Sequence, residues 1–250
     1  MPLQPQIIRI ASLPSTNTEA AQRALAGAAE GLVIVAGEQT AGRGRLDRQW
    51  VSPSGAGLYF SILLRPKAPP ADWSVLPLMA AVAVHDALLE ACGLETDIKW
   101  PNDILAGERK LCGILAEASE YSVVVGIGIN LTAGAFPPDL ATVATSVQQE
   151  IGRPPDFEAL LRVLTATLAH RYETFCGEAG PAAIISEWTR RSSYASGKHV
   201  RVTCVNQEFY GVTRGLESDG ALRVETDACE IKIVRAGDVT SVRAGQYQER

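Results

Sequence analysis

The chain has 250 residues, 46% of them hydrophobic and 20% charged, with a formal net charge of -5. That length permits one large domain, or one domain with a small appendage. The composition is that of a globular protein, and the acidic balance argues against a general nucleic-acid binder, which carries a basic patch or stripe.

In chain order, Ile7 to Leu13 reads as a strand. Ser15-Thr16-Asn17 then offers N-cap chemistry for a helix to about Ala29, with Glu19 three residues after Thr16 completing a capping box. Leu32 to Ala36 is an apolar strand that leads into Gln39-Thr40-Ala41-Gly42-Arg43-Gly44-Arg45-Leu46-Asp47-Arg48-Gln49-Trp50. Glycine lets backbone approach a ligand, and arginine forks grip carboxylate and phosphate oxygens. This run reads as a loop that closes over a small anion. It has few apolar anchors to offset an ordering cost of roughly 1–2 kcal/mol per residue, so it is expected to order when ligand binds.

Leu58 to Leu64 is a further strand, and Leu76, Met79, Ala80, Ala83, Ala87, Leu88 and Ala91 lie on one face of a long helix. Its His85 has no metal-spaced partner. Thr96 to Trp100, Lys110 to Glu117 and Ser122 to Leu131 are strand candidates, and their short links suggest antiparallel neighbours. Lys99-Trp100-Pro101-Asn102-Asp103 places a cation, an amide and a carboxylate around a ladder-breaking proline. Gly126-Ile127-Gly128-Ile129-Asn130 is a strand with alternate glycines, which marks close approach of a ligand, but it lacks dinucleotide-binding spacing.

Asp156 caps a helix bearing Leu160, Leu161, Leu164, Leu168, Tyr172 and Phe175, and a second helix spans roughly Pro181 to Tyr194. Ser196-Gly197 reads as a linker to a small β unit in which Asp219-Gly220 marks a hairpin turn. The five cysteines, Cys92, Cys112, Cys176, Cys204 and Cys229, form no CxxC pair and read as reduced thiols. The N-terminus is no secretory signal, and no segment reads as the roughly 20 apolar residues of a membrane span. These features predict a cytoplasmic protein with neither DNA nor membrane as partner.

Taken together and in order, Ser15-Thr16-Asn17, the Gly42 to Trp50 loop, Lys99-Trp100-Pro101-Asn102-Asp103, Lys110-Leu111-x-Gly113-Ile114-Leu115-x-Glu117 and Gly126-x-Gly128-x-Asn130 resemble the biotin protein ligases. The resemblance covers nearly the whole chain. It implies an α+β fold: a mixed or antiparallel sheet packed with helices, class II synthetase-like, over residues 1–195, followed by a small SH3-like β-barrel over residues 197–250. The chain begins at the catalytic unit, which implies the monofunctional form without an N-terminal DNA-binding domain. Leu46-Asp47 stands where many members have arginine-glycine.

The implied activity is formation of biotinyl-5′-adenylate from biotin and ATP, with Mg²⁺, followed by transfer of biotin to a lysine of a biotin carboxyl carrier domain. By the same resemblance, Lys110, Arg45 and Asp103 are catalytic, and Asp103 orders the metal. Ser15, Thr16, Asn17, Gln39, Gly42, Arg43, Arg45, Gly113, Ile114, Leu115 and Lys110 bind biotin. Arg43, Arg45, Arg48, Trp50, Asn102, Asn130 and Arg243 bind the nucleotide. The alternatives are a lipoate ligase or octanoyltransferase of related fold, and a non-catalytic biotin- or nucleotide-sensing module. The strand edges permit a homodimer through sheet extension.

Overall fold

In a computed structural model the described residues are 3–205 and 207–242; Arg243 lies outside them. Strand β1 (Gln6–Leu13), helix α1 (Thr16–Leu25) and strand β2 (Leu32–Gln39) form a parallel crossover unit. There follow β3 (Gly57–Leu64), α2 (Leu76–Cys92), β4 (Asp97–Lys99), β5 (Asp103–Ala106), β6 (Arg109–Ala118) and β7 (Val123–Asn130). The seven strands make one mixed sheet in the order β1-β2-β3-β7-β6-β5-β4, antiparallel at every junction except β1-β2. The sequence reading missed β5, whose Asn-Asp start resembles a turn.

Strand β3 is buried at every position because the sheet is covered on both faces. Leu58, Phe60, Ile62 and Leu64 point to the side of α2, whereas Tyr59 and Leu63 pack toward Ala20 of α1. Period-two alternation divides the strand in this way. Helix α2 is buried on nearly all sides, more completely than the single face its spacing suggested, and an apolar helix of that kind belongs in a core. With the turn before it, Pro70–Cys92 is long and apolar enough to cross a membrane by composition alone, but 67% of that window is buried inside the fold. Gly93 ends the helix in the left-handed region at φ 66°.

Helices α3 (Val147–Ile151), α4 (Phe157–Cys176) and α5 (Gly180–Arg191) complete this layer. Asp156 caps α4 as expected, its carboxylate accepting from Ala159 N at 3.0 Å. Strands β8 (Ser196–Cys204), β9 (Gln207–Leu216), β10 (Leu222–Glu225), β11 (Ile231–Val234) and β12 (Asp238–Ser241) form an antiparallel sheet in the order β11-β10-β9-β8-β12. Ser196 and Gly197 are the first residues of β8 and not a free linker. The core is continuous between the two sheets: Val200, Val202, Leu222 and Val239 join the cluster that holds α2. Trp100 Nε1 donates to Gly220 O at 2.9 Å, and Ser74 Oγ to Asp219 O at 2.8 Å.

One ionic cluster ties three helices together. Asp86 of α2 meets Arg171 of α4 at 2.6 Å and Arg191 of α5 at 2.7 Å, and Glu187 meets the same two arginines at 3.3 and 2.7 Å. Asp86→Ala leaves two largely buried guanidinium groups with half their counter-charge. It is expected to lower the unfolding free energy by about 2 kcal/mol or more, read from urea denaturation. Hydrogen bonding from Arg190 holds the Glu187 carboxyl below its ordinary value against the opposing effect of burial. Its contribution is therefore complete above the ordinary carboxylate pKa and is lost as pH falls through the depressed one. Glu187→Gln should flatten that acid-side slope, and an unchanged slope would contradict the assignment.

Candidate active site

The floor of the site follows from strand register. Across five strands, Lys99 pairs with Asp103, Asp103 with Gly113, Gly113 with Gly128 and Gly128 with Tyr59. The adjacent row runs Leu115, Gly126 and Ser61. Paired residues share a sheet face, and Tyr59 places these rows on the side of α1. Where other strands would send side chains upward, three glycines leave a hollow, and a cavity of about 320 Å³ opens there.

The polar wall comes from the start of α1. No capping box forms: Ser15 is the N-cap without a side-chain bond, and Thr16 and Asn17 are turned inward. Gln39 Oε1 accepts from Thr16 N at 2.8 Å and lies 3.1 Å from Thr16 Oγ1. Ser61 Oγ, fully buried on β3, lies 2.7 Å from Thr16 Oγ1 and 2.6 Å from Asn17 Oδ1. A hydroxyl has one proton, and an amide oxygen can only accept. Ser61 therefore donates to Asn17. Asn17 Nδ2 then donates to Leu115 O at 3.2 Å and to Glu117 Oε2 at 2.6 Å, and Arg43 donates to the same carboxylate oxygen at 2.8 Å. The glycine at 126 is required for this: a Cβ there would sit 2.2 Å from Asn17 Oδ1.

The glycine-arginine run is a hairpin over the hollow. Arg43 bridges Gln49, Gly44 N donates to Arg48 O at 2.7 Å, and Trp50 N donates to Gly42 O at 2.9 Å. Leu46 and Asp47 form its tip at φ 55° and 58°, with Arg48 N donating to Arg45 O. Both tip residues thus sit in the left-handed region, where Asn-Gly is the favoured pair. Aspartate tolerates it; leucine does so at a cost of roughly 1 kcal/mol. The apolar anchor that the sequence reading did not find is Trp50. Its indole lies against the glycine floor, so that a Cβ on Gly128 would meet Trp50 Nε1 at 2.4 Å, and one on Gly113 would meet Cζ3 at 3.0 Å. Trp50 Nε1 is buried with no partner among the described residues.

Charge gathers at the other end. Lys110 Nζ is 2.6 Å from Asp103 Oδ1, an ion pair by distance although its angles do not make a hydrogen bond. Lys99 Nζ is 3.9 Å from Asp103 Oδ2. Burial pulls the Lys99 ammonium below the ordinary lysine value, which Asp103 opposes and Lys110 reinforces. Lys110 also lies 5.4 Å from the centre of the Trp50 ring. Arg45 donates to Asn102 Oδ1 and to Gly237 O, each at 3.3 Å, and burial lowers its pKa. No cluster of three or more metal-ligating side chains exists among the described residues. Asp103 is a lone carboxylate here, too few oxygen ligands for a metal site built by the protein alone. Burial pushes the Cys112 thiol far up, which removes it as a nucleophile.

Fifteen of the residues named from sequence line the one cavity, including Ser15, Arg48, Asn102, Ile114 and Asn130. Gly42 does not. It backs the hairpin base, where a Cβ would meet Trp50 O at 2.3 Å. Asn130 lines the cavity with its Nδ2 donating to Thr145 O at 3.0 Å. Sequence reading missed Ser61, whose only signal is a lone hydroxyl in a buried apolar strand. It also missed the apolar rim of Phe136, Leu140 and Val143, and Asp238 of β12.

A polar end, an apolar glycine floor and a cation-rich end together suit a small carboxylic acid held beside phosphates, the site of an acid-activating ligase. Comparison with known proteins agrees. Residues 9–132 match the Biotin/lipoate A/B protein ligase family, and residues 195–240 the Biotin protein ligase C terminal domain. The chain is 38% identical over 228 residues to a Biotin--[acetyl-CoA-carboxylase] ligase of Paracoccus denitrificans, covering 85% of this chain and 91% of that one. It is 38% identical over 236 residues to the Bifunctional ligase/repressor BirA of Bacillus subtilis, covering 91% of this chain and 71% of the relative. The structure of the biotin protein ligase from Aquifex aeolicus in complex with biotin and ATP superimposes with a TM-score of 0.84 at 29% identity, covering 96% and 99% of the two chains. This chain belongs to the biotin protein ligase family.

Ser61→Ala removes the donor to Asn17 Oδ1 and leaves a buried acceptor unsatisfied. It should lower the unfolding free energy by about 1–3 kcal/mol in a denaturant titration; a value indistinguishable from the parent would show that the wall does not depend on this bond.

Proposed function

We propose that this chain is an ATP-dependent biotin protein ligase acting in two steps. Biotin carboxylate attacks the α-phosphorus of ATP, the bond to pyrophosphate breaks, and biotinyl-5′-adenylate forms. The neutral amine of an acceptor lysine then attacks the carbonyl carbon, AMP leaves, and the amine gives up a proton. The observation that carries this reading is one cavity whose hydrogen-bonding wall ends on Arg43, with Arg45, Arg48 and Lys110 gathered away from that wall.

In this reading Ser15, Thr16, Asn17 and Gln39 meet the ureido group, with Ser61 holding Asn17 in place. Gly113, Ile114, Leu115 and Gly128 bed the rings. Lys110 and Arg45 face the reacting carboxyl and phosphate oxygens, where positive charge fixed in place favours the transition state over the separated anions. Arg43 and Arg48 grip phosphate, and Trp50 covers the ligand and excludes water. Asp103 would be the carboxylate that holds Mg²⁺ brought with ATP, and the ion would supply neutralising charge to the phosphates.

The acceptor is the carboxyl carrier domain of a biotin-dependent carboxylase, which the names of the relatives support by pointing to acetyl-CoA carboxylase. Residues 1–195 would carry the chemistry and the β unit from 197 would complete the site. A homodimer would extend the main sheet through the unpaired edge of β1. The cytoplasm supplies ATP and carrier. Lipoate is the weaker substrate choice, because the C-terminal match is to biotin ligases by name.

Incubation with ATP, Mg²⁺ and either biotin or lipoate, followed by mass detection, should give biotinyl-adenylate and no lipoyl-adenylate. Lipoyl-adenylate alone would overturn the substrate. Lys110→Ala should lower the adenylation rate by about tenfold or more while changing biotin affinity less; adenylation at the parent rate would remove Lys110 from the chemistry.

A further inference from the structure

Every cation in the site has a carboxylate partner. Glu117 takes Arg43, and Asp103 takes Lys110 and Lys99. Arg48 forms a short ion pair with Asp238, whose other oxygen lies 3.9 Å from Arg45. The first two carboxylates belong to β6 and β5, on the sheet that forms the floor. Asp238 comes from the C-terminal sheet, and it is the single described residue of that sheet lining the cavity.

We propose that Asp238 is an internal counter-ion that holds the guanidinium groups of Arg45 and Arg48 until nucleotide phosphate displaces it. The inference rests on the function proposed above and adds a residue to the nucleotide side of that site. Two ligand classes compete for the same donors. A carboxylate spreads one negative charge over two oxygens. A triphosphate carries several charges and more acceptors, and so wins the arginine forks. Asp238 at 31% and Arg45 at 24% are only partly exposed, whereas Arg48 at 65% is largely in solvent, so the competition is felt most at Arg45 and is modest overall. Gly237 permits the approach, since a Cβ there would strike Thr203 O at 2.8 Å and its own carbonyl accepts from Arg45.

The pairing also bridges layers. While Asp238 holds Arg48, the turn before β12 is fastened to the hairpin, and nucleotide binding unfastens it. Part of the binding energy of ATP is thus spent in separating these groups, and Asp238 is a positioning residue that sets nucleotide affinity without touching biotin.

The test uses the full chain and a non-hydrolysable ATP analogue with MgCl₂, measured by titration calorimetry. Asp238→Asn should bind the analogue roughly two- to fivefold more tightly than the parent, the range released by partly exposed ion pairs. Asp238→Glu should restore parent affinity, and the affinity for biotin, which meets only Arg45 of the two arginines, should change less than analogue affinity. The gain should shrink as ionic strength rises. If Asp238→Asn disturbs the fold, as judged by lost biotin binding, Asp238→Ser repeats the comparison. Equal or weaker analogue binding by the charge-removed variant overturns the proposal alone, because the carboxylate would then be supporting the arginines or the nucleotide's metal. A parent chain that binds no analogue at all overturns the ligase reading together with it.

Discussion

The register of β5, β6, β7 and β3 is the constraint on which the site depends. It aligns Asp103, Gly113, Gly128 and Tyr59 in one row and Leu115, Gly126 and Ser61 in the next. A slip of one residue would turn Val125, Ile127 and Ile129, which belong to the core on the side of α2, into the hollow. The same slip would bury the glycines against α2. The core on one face therefore guards the cavity on the other, and the fold has a thermodynamic reason to keep the site open.

Polar groups enter this hollow only where they satisfy one another. Gln39, Thr16, Ser61, Asn17, Glu117 and Arg43 form a chain of contacts from β2 through α1 and β3 to β6 and the hairpin. Such a chain fixes side-chain directions before any ligand arrives, which lowers the entropy cost of binding. The cationic end is balanced differently. Its charges are held by Asp103 and Asp238, so that end is tolerable without a ligand.

How much of this is legible in the sequence varies with the range of the interaction. Arginines separated by single glycines, and glycines alternating in an apolar strand, are local patterns with local causes, and the residues they single out line one cavity. The helix start at Thr16 misled because tertiary partners, Gln39 and Ser61, outcompete the helix's own N–H groups for the same side chains. Ser61 is silent in sequence because only the strand pairing shows it opposite Gly126. Asp238 is silent because it reaches Arg48 across 190 residues, and nothing in a four-residue strand announces such a contact. Strand β5 was hidden by residues that favour a turn in isolation and form a ladder only between two neighbours.

The central claim is that bare backbone at the glycine rows is the binding floor. Its most direct measurement is the biotin dissociation constant of Gly128→Val by titration calorimetry, with thermal unfolding alongside. Valine suits a strand, but its Cβ would stand 2.4 Å from Trp50 Nε1, so the variant folds with the indole displaced and its own side chain in the hollow, and thermal unfolding reads what that displacement costs. The account predicts a biotin dissociation constant raised by about tenfold or more, which corresponds to about 1.4 kcal/mol. A stable Gly128→Val protein that binds biotin as tightly as the parent would contradict it.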